Sequence, residues 1–310
     1  MNCGSGKLPR FANDGAESDY SDYNGVMGSI LDREEYIEQA YFFRAMRERL
    51  NDQRAAQDVL ESVHEEILAT TRLPMAVQFL SAELKHTGLL ASGFARLSHY
   101  FTPFQAFAIR QCETDTSRFT IQMAMLLLER EAEYRAASPT KPGMFVYQFE
   151  GLSRNRLGYD EGLQAMASDP IYDAEWKTYL EQVRRKIGSV DFADLLYVRS
   201  EEYVTEQRRN DPDYQPPVTP LFGIKEGKIA KANRGRDPLY LFAALQRQLG
   251  YPEVPRPQER TDVQTKFEQV TVKLKEMEAR LRLVESEVKG QVDLQLFGKP
   301  EMLEGGGKIG

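Results

Sequence analysis

The sequence predicts an all-α protein, with a multi-helix bundle body followed by a small helical segment and a C-terminal coiled-coil helix. Three observations predict this class. Apolar residues recur at helical spacing along most of the chain, helix start and stop residues bracket those segments, and the alternation typical of strands is nearly absent. At 310 residues and 41% hydrophobic content, the chain is long enough to bury a sizeable core.

The first helix is predicted to begin at Asp32, which can cap it together with Glu35. Residues 1–29 are rich in Gly, Ser, Asp and Asn without periodicity and are predicted to be a disordered lead-in. This leaves open whether Met1 or Met27 is the natural start. The helix carries two apolar stripes, which predicts neighbours on two sides: Tyr36, Ala40, Phe43, Met46 and Leu50 in one, and Ile37, Tyr41 and Ala45 in the other.

The remaining body helices follow from the same periodicity. Two antiparallel helices are expected over about 55–69 and 74–88, and Pro103 divides an aromatic stretch into two more. Phe119–Arg135 is apolar on nearly all sides, which predicts a central buried helix. After a loop at 138–143, helices are expected at about 144–156, 159–168, 173–187 and 191–207.

Two proline-rich stretches predict linkers, at 210–220 and 251–260. They set the expected organisation of the chain. It comprises a helical body over 30–209, a small basic segment with a helix at about 237–249 over 221–250, a coiled coil over 261–290 and a flexible tail over 291–310.

The clearest signal in the chain is a heptad repeat near the C-terminus. Its apolar residues step by four and three without a miss, which predicts a seam that a partner helix covers. At 1.5 Å per residue the seam is about 39 Å long. The predicted oligomerisation residues are Val263, Phe267, Val270, Leu274, Met277, Leu281, Val284 and Val288.

The charges beside the seam favour parallel association of identical chains. With Phe267 at heptad position a, basic g residues face acidic e residues of a parallel partner, as Lys273 faces Glu278 and Arg280 faces Glu285.

The number of chains and the partner surface are less constrained. Leu at a with Val at d favours trimers or tetramers mildly over dimers. The alternative is that the helix folds back on its own body, since Val272 and Leu283 are apolar outside the seam.

Composition narrows the class of protein. A net charge of −7 argues against a general binder of nucleic acid or anionic membranes. Two cysteines exclude a disulfide scaffold and suit a cytoplasmic location. The apolar runs are too short to span a membrane. We expect no cofactor and nominate no catalytic residue.

Three histidines are the candidates for metal binding or catalysis. Glu61 with His64, and Glu83 with His86, repeat the Glu-x-x-His spacing of ferritin-like di-iron bundles. Helical geometry places these residues mostly outside the inner face, which favours surface charges over a metal site. His99 lies among aromatic residues and is interpreted as a core histidine, with a general base as the alternative.

A basic run forms a local exception in this acidic chain. Its cations recur at about every third residue, and nearby glycines allow close backbone approach to an anion. The alternative is a solvated segment neutralised by local acids. The candidate anion- or partner-binding residues are Lys225, Lys228, Lys231, Arg234 and Arg236.

These features lead to one expected function and two alternatives. We expect a non-enzymatic cytoplasmic adaptor or scaffold that assembles as a parallel homo-oligomer and is able to bind a protein partner. The alternatives are an all-helical metal- or ligand-binding enzyme, and a regulator that binds an anionic partner through residues 225–236.

Overall fold

A computed structural model describes residues 31–51, 54–114, 119–256 and 263–288. Over these residues the protein has fourteen α-helices and no β-strand, which confirms the all-α class. Contacts divide the chain into two compact units, Met1–Pro257 and Gln258–Gly310. The predicted lead-in 1–29 and tail 291–310 lie outside the described residues.

The described helices follow the chain in a simple order. The second unit contains α14 (Val263–Val288). The first unit contains α1 (Arg33–Asn51), α2 (Ala56–His64), α3 (Leu73–Thr87), α4 (Leu90–Arg96), α5 (Pro103–Cys112), α6 (Ile121–Ala136), α7 (Lys141–Asn155), α8 (Tyr159–Ala167), α9 (Ala174–Lys186), α10 (Phe192–Val198), α11 (Glu201–Asn210), α12 (Ile224–Ala232) and α13 (Pro238–Leu249).

The core is organised around α6, which packs along α1. The apolar side chains in its middle, such as Leu128, are fully buried, as expected for a central helix, whereas those near its start, such as Ile121 and Met123, are partly exposed. The second stripe of α1 is only partly covered. Ala45 is buried, whereas Ile37 and Tyr41 are exposed, so the prediction that both stripes are sandwiched is wrong at these two positions.

Helix α2 ends at His64, earlier than the predicted residue 69. The next residues leave the helix because their backbone groups find partners on α1. The Leu68 amide donates to Glu38 Oε2 at 3.1 Å, and the Arg72 amide donates to Glu35 Oε1 at 2.9 Å. Carboxylates of α1 thus replace helical carbonyls as acceptors.

The helix predicted over 191–207 is two helices, α10 and α11, separated at Arg199 and Ser200. The Arg199 carbonyl accepts from the amides of Leu221 and Phe222, at 2.8 and 3.1 Å. The Ser200 hydroxyl caps α11 by accepting from the Tyr203 amide at 3.3 Å. A backbone pairing with a segment about twenty residues away therefore interrupts the helix.

The segment 221–250 packs on the body instead of standing apart from it. α12 contacts α10 and α11, and α13 contacts α7. The Phe242 ring lies 5.8 Å from the Phe192 ring, because the apolar face of α13 needs cover. The structure differs here from the predicted division at 210–220. The boundary between the two units, after Pro257, falls inside the predicted linker 251–260.

Residues 251–256 are irregular but held firmly against the first unit. The Tyr251 hydroxyl donates to Glu150 Oε2 at 2.7 Å, and Asn155 Nδ2 donates to the Pro255 carbonyl at 3.2 Å. Val254 is also buried. The first half of the predicted linker is therefore an anchored part of the body.

Candidate functional site

The described seam residues of α14 form a stripe of exposed apolar side chains. Five consecutive seam positions are each more than half exposed, although each carries a large apolar side chain. Single exposed apolar residues are ordinary on protein surfaces, but a continuous stripe marks an interaction surface. The five are Val270, Leu274, Met277, Leu281 and Val284, with exposures of 54, 52, 55, 60 and 53%.

The other face of α14 is mainly polar. Lys273, Glu278 and Arg280, which flank the seam at g and e, are exposed. Val272, at position f, is an apolar exception, with an exposure of 56%. The helix has no acidic residue in its first turn and no basic residue in its last turn. The side chains of its first and last turns therefore do not stabilise the helix through favourable charges at the ends of the macrodipole.

The Glu-x-x-His residues are not brought together as a metal site. Glu61 pairs with Lys85 at 2.6 Å, and the buried carboxylate of Glu83 pairs with Arg96 at 2.7 Å. His86 is exposed, and His64 has a buried Nδ1 without a hydrogen-bond partner. Among the described residues, no group of three His, Cys, Asp or Glu side chains is placed to hold a metal ion.

His99 is exposed, so its interpretation as a core histidine is wrong. The neighbouring rings of Phe94, Tyr100 and Phe101 turn inward and pack on one another, with centroids 4.2 and 5.0 Å apart. Phe94 lies on α4, whereas Tyr100 and Phe101 lie in the turns that follow it, and these turns leave the His99 side chain exposed.

A shallow groove of about 410 Å³ lies between α4, α5 and α8. Its lining includes the rings of Phe94, Phe101 and Phe107, and its two charged residues, Arg110 and Glu161, pair with each other at 2.8 Å. The groove thus offers an apolar floor, and the charges among its described lining residues are already neutralised.

The basic run is largely engaged inside the first unit. Arg234 pairs with Asp194 at 2.6 Å and lies 4.0 Å from the centre of the Tyr197 ring. Lys231 pairs with Glu206, and the exposed Lys228 lies 4.0 Å from Glu202. Lys225 and Arg236 are exposed, and neither forms an ion pair with the described residues.

The glycines of this segment do approach acceptors closely, but within the chain. The Gly235 amide donates to Asp191 Oδ2 at 2.7 Å. A Cβ atom added at Gly227 would lie 2.3 Å from Ser200 Oγ, so this glycine lets α12 approach the start of α11. The acids that neutralise the run are therefore on α10 and α11, and not beside it in the sequence as the solvated alternative supposed.

A buried ionic cluster in the core was missed by sequence reasoning. The Arg135 guanidinium on α6 pairs with Glu131 at 2.8 Å and with Asp169, and all three side chains are almost completely buried. Gln148 donates to Glu131 Oε1 at 2.8 Å, and Tyr172 donates to Gln148 at 2.8 Å. Burial raises the pKa of Glu131, whose second oxygen has no hydrogen-bond partner. The cluster is packed in the core and joins helices.

Comparisons with protein-family models, with curated proteins and with solved structures find no match to this chain. No helix in the described part of the chain is long and apolar enough to cross a membrane.

Proposed function

We propose that this protein is a non-enzymatic cytoplasmic adaptor or scaffold that self-associates through a parallel coiled coil formed by α14. The observation that carries the proposal is the exposed stripe from Val270 to Val284. Its positions are those that heptad spacing assigns to the seam.

Burial of this stripe supplies the driving force. Each of the five described seam side chains exposes about half of its surface, and full burial of such a side chain is worth roughly 1.5–3 kcal/mol. Covering the exposed half contributes on the order of 1 kcal/mol per position and chain. The free energy gained by burying several such side chains in each of two or more chains thus offsets the entropy lost on association.

The orientation of the proposed coiled coil rests on charge order. A parallel arrangement sets Lys273 against Glu278 and Arg280 against Glu285 of the partner, giving two attractive contacts on each side. An antiparallel arrangement sets g residues against each other, which places Lys273 beside Arg280. The mixed seam, with Leu at a and Val at d, supports a trimer or tetramer mildly over a dimer.

A comparison of two valines on α14 tests the proposal. Val270 lies in the seam at position d and Val272 lies outside it at position f, yet their exposures are nearly equal at 54 and 56%. We expect Val270→Glu to dissociate the oligomer in analytical ultracentrifugation, because it places a charge in the seam, and Val272→Glu to leave the mass unchanged. The reverse result would show that the helix associates through its other face.

A truncation tests whether α14 is required at all. The full chain and a chain ending at Pro257 are compared by sedimentation at several concentrations. We expect the full chain to sediment as an oligomer and the shortened chain as a monomer. Equal oligomeric states would defeat the proposal, whatever the effect of the valine substitutions.

A further inference from the structure

In the first unit, the buried Arg199 has no carboxylate partner among the described residues. Arg199 lies between α10 and α11 and is 7% exposed. Its Nε atom has no hydrogen-bond partner, and among the described residues no carboxylate lies within 4.0 Å of its guanidinium. Buried charges in proteins are normally paired, so an orphaned one requires an explanation.

A second arginine that is buried in the described part of the chain, Arg135, shows what Arg199 lacks. Arg135 is 6% exposed and is matched by the carboxylates of both Glu131 and Asp169. Arg199 has instead the ring of Tyr179, whose centre lies 5.4 Å from its Cζ atom. An aromatic face attracts a cation but accepts no strong hydrogen bond.

A second orphaned donor lies in the same place. The Tyr179 hydroxyl is fully buried and has no hydrogen-bond partner. Two buried groups that need an acceptor thus belong to residues in contact with each other, and the backbone there is fixed because the Arg199 carbonyl accepts from Leu221 and Phe222. Burial lowers the pKa of Arg199 and raises that of Tyr179, as expected for groups cut off from water.

An acidic residue that acts on Arg199 through its charge belongs to another interaction. Glu175, one turn before Tyr179 on α9, accepts from the Thr219 hydroxyl at 3.0 Å. Its charge raises the pKa of Arg199 from a distance, but the two side chains do not form an ion pair. An acidic group at the rim of the site is thus held away from the guanidinium.

We propose that Arg199 and Tyr179 form a binding site for an oxyanion, a carboxylate or phosphate group of a ligand or partner. The guanidinium presents a planar fork of donors that matches such groups, and acceptor-only oxygens satisfy both orphaned donors. The site lies in the first unit and does not depend on α14.

Thermal unfolding and calorimetric titration of the full chain test the site. Inorganic phosphate, acetate and chloride are compared at matched ionic strength. Phosphate or acetate should raise the Tm above its value in chloride, and whichever raises it more identifies the preferred oxyanion. Arg199→Gln should weaken binding of that anion by about tenfold or more, because one charge-assisted partner is lost. Arg184→Gln, which removes a partly exposed arginine paired with Asp160, should leave binding unchanged.

A second variant keeps the proposal testable if Arg199→Gln fails to fold. Glu175→Gln removes the acidic group at the rim and should strengthen anion binding. An equal Tm in all three salts would overturn the proposal. So would anion binding that Arg199→Gln and Glu175→Gln leave unaltered, since the anion would then bind elsewhere.

Discussion

At the scale of single residues, the Arg135 cluster places more acidic than basic groups in the core. One guanidinium serves two carboxylates, Glu131 and Asp169, without access to water. Two ionised carboxylates would leave a net negative charge inside the core, which is costly. Protonation of one carboxylate relieves this cost. Burial and the nearby Asp169 raise the pKa of Glu131, so this carboxyl group takes up a proton at a higher pH than an exposed glutamate does.

This arrangement predicts a pH-dependent stability that Glu131→Gln removes. The folded-state pKa of Glu131 lies above its ordinary value of 4.5, so its contribution is fully present below pH 4.5 and is lost as pH rises through the folded-state pKa. The free energy of unfolding, measured in urea from pH 4.5 upward, should therefore fall less with pH in Glu131→Gln than in the wild type. Parallel pH profiles for the two proteins would contradict this.

Loss of the shared cation should be far more damaging. Arg135→Met leaves two buried carboxylates without a counter-charge and is expected to lower the free energy of unfolding by roughly 3–5 kcal/mol. Urea unfolding at neutral pH measures the change. Arg184→Met, which breaks a surface pair with Asp160, serves as the matched control and should have little effect.

Part of this cluster is visible in the sequence. Glu131 and Arg135 follow the apolar first half of their helix and are four residues apart. This spacing places them on one face of the helix. Asp169 is 34 residues away from Arg135 in the chain, and no local pattern connects it to them. His99 illustrates the opposite limit, because its aromatic neighbours in the sequence predicted burial and it is exposed.

At the scale of helices, the contact between α11 and α12 depends on a glycine. At Gly227 an added Cβ would lie 2.7 Å from Glu202 Cβ and 2.8 Å from Ser200 Cβ. These atoms belong to the first turn of α11 and its cap, so neither can move without disturbing that helix. The close approach also lets Lys231 of α12 reach Glu206.

Gly227→Ala should therefore destabilise the first unit by roughly 1–3 kcal/mol, the usual cost of overpacking. Gly158→Ala is the matched control, because Gly158 has a φ of −61° and no atom near its Cβ direction. That change should stay within about 0.5 kcal/mol of the wild type. Urea unfolding of both variants tests the contact, and equal stabilities would show that α12 shifts without cost.

Helix positions were largely predictable, and helix ends were less so. The capped helix α5 begins at Pro103, where the sequence predicts a break. The early end of α2 and the division between α10 and α11 were not predicted, because the competing acceptors and donors come from distant segments. Glu35, Glu38 and Phe222 make those contacts only once the chain is folded.

At the scale of the whole molecule, the open question is how identical chains would align along α14. The single substitution Lys273→Glu separates the two orientations. In a parallel coiled coil it sets a new carboxylate against Glu278 and weakens association. In an antiparallel one it sets that carboxylate beside Arg280 and strengthens association.

We expect weaker self-association of Lys273→Glu in sedimentation equilibrium at low salt, and recovery when Glu278→Lys is added. Each exposed ion pair is worth only about 0.2–1 kcal/mol, but it recurs in every chain of the oligomer. Stronger association of the single variant would contradict the parallel arrangement.

The sequence by itself determined the all-α class, the central helix α6 and the heptad pattern of α14, because these depend on periodicity within one helix. Tertiary structure alone decided that 221–250 belongs to the body and that the basic run is neutralised by α10 and α11. It also decided that the buried Arg135 has two carboxylate partners, whereas the buried Arg199 has none among the described residues. The physical reason is the range of the interactions. Local patterns fix which face of a helix is apolar, whereas the partners of buried charges come from segments that only folding brings together.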